Sequence, residues 1–165
     1  MTALIFVEHV LWEPDSAWDE ALEHLASRFA RVQPLDLDAV RGAGPFHAQL
    51  AYLAEWATGA GVDLDRELGR FLDEHLSMHV RPAPPVTRAV RALAADGPVH
   101  AASALPARAA ESIARHAGCW RSISELHADV RDADALDAVL ASVSPDRLVA
   151  ADPTPVPAGT AATAL

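Results

Sequence analysis

Apolar positions change period along this chain, and the changes divide it into elements. Residues 4–7, Leu-Ile-Phe-Val, form a short continuous apolar run of the kind found in strands covered on both faces. From Asp15 the spacing becomes helical: Trp18, Leu22, Leu25 and Phe29 recur on one face, with Asp15, Asp19 and Glu20 near the start, where the helix dipole favours acids. Pro34 and the stretch Arg41-Gly42-Ala43-Gly44-Pro45 interrupt this pattern. Leu50, Leu53, Ala54 and Trp56 then continue it up to Gly59 and Gly61. A further helix is predicted over residues 64–79, with Leu68, Phe71, Leu72 and Leu76 on one side.

Pro82, Pro84 and Pro85 punctuate the end of this helical block. Beyond them the pattern alternates. Helices are predicted over 86–95, 106–117 and 133–142, and strands over 99–103, 123–126 and 147–151. Gly97 and Gly118 stand at helix stops. Strands that alternate with helices in this way predict a mostly parallel sheet, because each parallel crossover carries a helix. The Pro-, Ala- and Thr-rich tail predicts irregular chain or one short helix.

Composition narrows the function classes. A chain of 165 residues suits one domain with a small insertion. A net charge of -10 and a pI near 5.1 argue against nucleic acid as a partner, since phosphate backbones are held by clustered basic groups. All 13 basic residues are arginine, so a lysine-bearing phosphate loop and a Schiff-base lysine are both excluded. Cys119 is the single cysteine, which rules out an internal disulfide and a thiolate zinc cluster and fits a reducing compartment. The opening residues lack a basic leader, and no apolar run approaches the roughly 20 residues that span a bilayer. The expectation is a cytoplasmic protein without a membrane partner.

The chain resembles the haloacid-dehalogenase superfamily in both organisation and local wording. Leu4-Ile5-Phe6 followed by a turn and a helical insertion is similar to the family's first strand and cap. Gly97-Pro98-Val99-His100-Ala101-Ala102-Ser103 resembles its strand ending in Ser or Thr, and Leu148-Val149-Ala150-Ala151-Asp152-Pro153 its acidic fourth motif. The resemblance implies an α/β fold: a Rossmann-like parallel sheet core from residues 1–14 and 81–165, with residues 15–80 as a helical cap inserted after the first strand. It also implies an aspartate nucleophile, an acid/base aspartate two residues on, a lysine and a magnesium ion.

The departures from that pattern carry the functional argument. Val7 and His9 stand at the two aspartate positions, and valine is no nucleophile. Glu8 lies between them and, by strand alternation, is expected to point away from the site. With no lysine, Arg131 is the cation expected nearby, although its planar fork is no equivalent of an ammonium. Asp152 alone is too few carboxylates for magnesium, so no metal or other cofactor is expected. The chain runs only a short way past Asp152, and the family's last edge strand is expected to be missing.

Each remaining candidate carries two readings. Ser103 either binds a substrate oxygen at the sheet's ligand edge or caps the next helix. His9 is either a general acid/base or a hydrogen-bonded loop residue. Asp152 either orients a substrate or caps a turn with Pro153. Arg41, in the glycine-rich break of the cap, either recognises a carboxylate, phosphate or sulfate or is solvated. Trp12 is the tryptophan expected to line the crevice beneath the cap. His75 and His79 have zinc spacing but no evident third ligand. Two functions follow. One is a non-catalytic small-molecule-binding or auxiliary subunit, in a homo- or hetero-oligomer. The other is an enzyme that uses His9, Ser103 and Asp152, with Trp12, Arg41 and Arg131 binding a small anionic metabolite, for metal-independent elimination, isomerisation or hydrolysis.

Overall fold

The computed structural model describes residues 1–12, 15–80, 82–149 and 162–163. It contains strands β1 (Ala3–Phe6), β2 (Val99–Ala102), β3 (Glu125–His127), β4 (Arg147–Val149) and β5 (Ala162–Thr163). The helices are α1 (Asp15–Phe29), α2 (Leu37–Gly42), α3 (Phe46–Ala60), α4 (Leu64–His79), α5 (Pro84–Asp96), α6 (Ala107–His116) and α7 (Ala133–Val143). The strands pair in the order β3-β2-β1-β4-β5, every neighbour parallel. This is the Rossmann-like α/β arrangement expected from the alternation of elements. Among the described residues, no helix is long and apolar enough to cross a membrane.

Strand pleating divides the core. Leu4 pairs with His100 and Leu148, so these side chains share one face of the sheet. There Leu4, Ala102, Val139 and Leu148 form a small cluster beneath α7. Ile5 pairs with Ala101 and Val149 on the opposite face. On that side one apolar cluster runs without a break from Ile5, Val99 and Ile113 to Leu22, Leu53, Leu68 and Phe71 of the helical block. Helices α1–α4 are therefore joined to the sheet layer by buried apolar surface, the largest favourable contribution to folding.

Polar contacts fix the same junction. The Arg108 N–H donates to Asp65 Oδ1 at 3.1 Å, Arg108 Nη2 to Asp73 Oδ2 at 2.9 Å and Ser112 Oγ to Asp73 Oδ1 at 3.0 Å, which pins α4 along α6. Gly69 makes the close approach possible, since a Cβ there would lie 2.7 Å from Arg108 Cδ.

Four expectations need correction. Helix α2 replaces part of the predicted break, because Asp36 caps it by accepting from the Ala39 N–H at 3.0 Å. The strand predicted over 123–126 shifts to β3, since residues 120–122 make a 3₁₀ turn that Ile123 closes by donating to Trp120 O at 3.1 Å. The edge strand expected to be missing is present: β5 continues the sheet, with Leu148 opposite Ala162 and Val149 opposite Thr163. Val7, predicted as the last residue of the first strand, opens a wide turn instead.

Candidate functional site

That turn builds the site. After β1, residues Val7–Leu11 form a single π-type turn, closed by the Trp12 N–H donating to Val7 O at 3.2 Å. Such wide turns interrupt regular hydrogen bonding and are frequent at functional positions. Once the chain has left the strand, side-chain alternation no longer applies. Glu8 was expected to point away; instead the residue is only 5% exposed and its side chain meets the end of β2.

Ser103 follows β2 directly and is held by its backbone, its N–H donating to His127 O and its carbonyl accepting from the Val130 N–H, both at 2.9 Å. Its hydroxyl donates to Glu8 Oε1 at 2.5 Å and accepts from the Leu105 N–H at 3.1 Å. Burial pushes the Glu8 carboxyl above the usual carboxylate range. The Ser103 hydroxyl and backbone hydrogen bonding from Glu8, Leu105 and Ala104 oppose the shift without cancelling it. The result is a carboxyl group enclosed by donors at the carboxyl edge of a parallel sheet, where ligands of such folds bind.

Among the described residues, the other sequence candidates make contacts of their own and none is bonded to this pair. The backbone of His9 belongs to the wide turn, and its side chain lies outside what the structure describes; Asp152 also lies outside the described residues. Trp12 is buried with its ring edge-on to Phe46, centroids 5.9 Å apart, and its indole N–H has no partner among the described residues. Arg41 pairs on the exterior of the helical block with Asp19 at 3.2 Å and Glu23 at 3.8 Å. Arg131 sits behind the site loop, where its Nε donates to Ala104 O at 3.1 Å and its Nη2 pairs with Asp129. His75 and His79 do not converge: His75 Nδ1 contacts Phe71 O at 2.9 Å, while His79 Nε2 contacts Glu20 at 3.0 Å.

Among the described residues, the donor set fits magnesium poorly. Val7 offers no side-chain oxygen where the family resemblance implies the nucleophile, and one Glu8 oxygen is bound to the Ser103 hydroxyl. Magnesium requires near-octahedral oxygen ligation with one or two free carboxylates. Among the described residues, the one group of three potential metal ligands is His100, Glu125 and His127, on the α7 face of the sheet. Sequence reading missed both this trio and the Glu8–Ser103 pair, because each joins residues that only the strand register or the wide turn brings together.

No family model matches the sequence, and no curated protein does. Solved structures match its fold. A haloacid dehalogenase-like hydrolase from Streptococcus pneumoniae is similar with a TM-score of 0.55 and 11% identity, over 90% of this chain and 73% of that one. A predicted phosphoglycolate phosphatase from Haemophilus somnus gives 0.53 and 15%, over 90% and 76%. A haloacid dehalogenase-like family hydrolase from Xanthomonas campestris gives 0.50 and 18%, over 91% and 72%. At these identities the likeness shows the haloacid-dehalogenase-like fold and leaves the chemistry to the residues.

Proposed function

We propose that this chain is a non-catalytic protein on a haloacid-dehalogenase-like scaffold, an auxiliary subunit in which the carboxyl group of Glu8 fills the anion cradle at the sheet edge. The observation that carries this reading is the 2.5 Å hydrogen bond from Ser103 Oγ to the buried Glu8 carboxyl. A substrate phosphate placed at the same donors would have to displace that carboxyl and break its buried hydrogen bond to Ser103, or crowd into the same enclosed space. Val7 supplies no nucleophile and the chain no lysine, so nothing is gained by the displacement. The apolar continuity between α1–α4 and the sheet layer also favours a closed scaffold over a cap that opens with each turnover.

The test is anion binding. Wild-type protein titrated with inorganic phosphate is expected to show no saturable binding, whereas Glu8→Ala, which vacates the donors, is expected to gain it. If wild type binds phosphate saturably, or a folded Glu8→Ala binds none, the cradle reading fails.

A second reading draws on the raised Glu8 carboxyl beside a serine, since perturbed carboxyl groups cluster at catalytic sites. In that reading Glu8 and Ser103 serve a metal-independent elimination, isomerisation or hydrolysis of a small anionic metabolite. Turnover of such a substrate that disappears in a folded Glu8→Gln variant would favour it over the first.

A further inference from the structure

We propose that His100, Glu125 and His127 form a binding site for one divalent transition-metal ion, zinc by its ligand chemistry, on the α7 face of the sheet. The strand register creates the cluster. His100 on β2 lies opposite Glu125 on β3, and Ala102 lies opposite His127. With a side-chain period of two, His100, Glu125 and His127 all project from the same face, the one that carries Leu4 and Ala102. Helix α7 covers Leu4, Ala102 and Leu148 through Val139, and the trio stands at the β2–β3 side of that cluster.

The three candidate donor atoms form a compact triangle. His100 Nδ1 is 3.2 Å from His127 Nε2 and 3.5 Å from Glu125 Oε2, and His127 Nε2 is 3.9 Å from the same oxygen. Zinc bound tetrahedrally at about 2.0–2.2 Å from nitrogen and oxygen holds its ligand atoms roughly 3.3–3.5 Å apart, so small side-chain rotations bring this triangle to that size. The imidazole side chains are 17% and 16% exposed and therefore largely positioned in advance, while the Glu125 side chain, 61% exposed, is free to swing in as the third ligand.

Without metal, one imidazole N–H donates to the nitrogen of the other, the two rings lying 19° from parallel. Binding puts the ion in place of that hydrogen bond. The donating ring changes tautomer by exchange with solvent, its N–H moving to its other ring nitrogen, so that both facing nitrogens of two neutral imidazoles become ligands. Two histidines and one carboxylate leave the fourth tetrahedral position to water or a small ligand, as in open rather than closed zinc sites. The site is separate from the Glu8 cradle, since Ser103, one residue past Ala102, carries its hydroxyl to Glu8.

The experiment is calorimetric titration of chelator-treated full-length chain with zinc sulfate, paired with zinc X-ray absorption on the loaded protein. One ion per chain is expected, with a first shell of two imidazole nitrogens and carboxylate and water oxygens. His100→Ala and His127→Ala are each expected to lose the binding, with far-ultraviolet circular dichroism confirming their fold, and His75→Ala is expected to retain it. If either variant fails to fold, the absorption spectrum of the wild type decides. Absence of binding in the wild type, binding that survives His100→Ala or His127→Ala, or a shell containing sulfur or more than two imidazoles would overturn the proposal.

Discussion

The hydroxyl of Ser103 lies 2.5 Å from Glu8 Oε1, so that the end of β2 and the turn after β1, 95 residues apart in sequence, meet through one buried hydrogen bond. Both partners are almost fully enclosed, at 1% and 5% exposure, so the bond is shielded from solvent in the folded chain.

Ser103→Ala is therefore expected to cost stability beyond the loss of an exposed contact. It removes the side-chain donor of a buried carboxyl, a change worth about 1–3 kcal/mol. Urea denaturation at neutral pH should show a lower midpoint with an unchanged slope. A midpoint equal to that of the wild type would mean that the hydroxyl does not hold Glu8.

The raised Glu8 carboxyl makes stability depend on pH in a defined direction. In the unfolded chain this group releases its proton in the ordinary carboxylate range, while in the folded chain it keeps the proton to higher pH. Below the ordinary range both states are protonated and the site's contribution is fully present. As pH rises from there to the elevated folded value, the unfolded state holds fewer protons and the contribution is lost; above that value it is constant. Glu8→Gln cannot titrate. Its melting temperature relative to wild type is expected to climb across this window and then level, and a flat or falling difference would contradict the assignment.

Gly97 ends α5 where the chain turns into β2, and a Cβ there would lie 2.0 Å from the carbonyl oxygen of Met1. The contact is backbone, with no flexible side-chain end to give way, and the Ala3 N–H bonds to Pro98 O at 3.0 Å close by. Gly97→Ala is expected to destabilise by roughly 1–3 kcal/mol, the range for an overpacked site. Gly59, within α3 and with open space around it, is the control. Gly59→Ala should be neutral or stabilising by about 0.5–1 kcal/mol. Thermal unfolding of the two variants side by side checks both.

Cys119 is buried, and burial pushes its thiol above the usual cysteine range, against the opposing Thr87 hydrogen bond and the Arg91 charge. A chromogenic disulfide reagent at neutral pH is expected to react slowly with the folded protein and to titrate one thiol per chain once denaturant is added. Rapid reaction in the native state would show that the thiol is accessible.

The fold was legible where periodicity was strong. Residues 64–79 read as a helix because Leu68, Phe71, Leu72 and Leu76 recur on one face, and α4 spans that range. Helix α2 and strand β3 were missed or shifted because one aspartate cap and one 3₁₀ turn set their limits, and such local hydrogen bonds leave a weak apolar signature. Ser103 stood out through its place after a strand. Its partner did not, because the alternation rule applied to Glu8 assumes a strand where the chain makes a wide turn. The pattern Glu125-Leu126-His127 carried a usable signal, two potential ligands on one face of a strand, but finding His100 beside it required the register between β2 and β3.

In the function proposed for this chain, Glu8 fills the place of a substrate anion and Val7 supplies no nucleophile, so no phosphoaspartyl chemistry takes place. Hydrolysis of a generic phosphate monoester by the purified chain, with magnesium and again after chelation, tests it most directly. The account predicts the same background rate in both conditions; hydrolysis that requires magnesium and stops on chelation would contradict it.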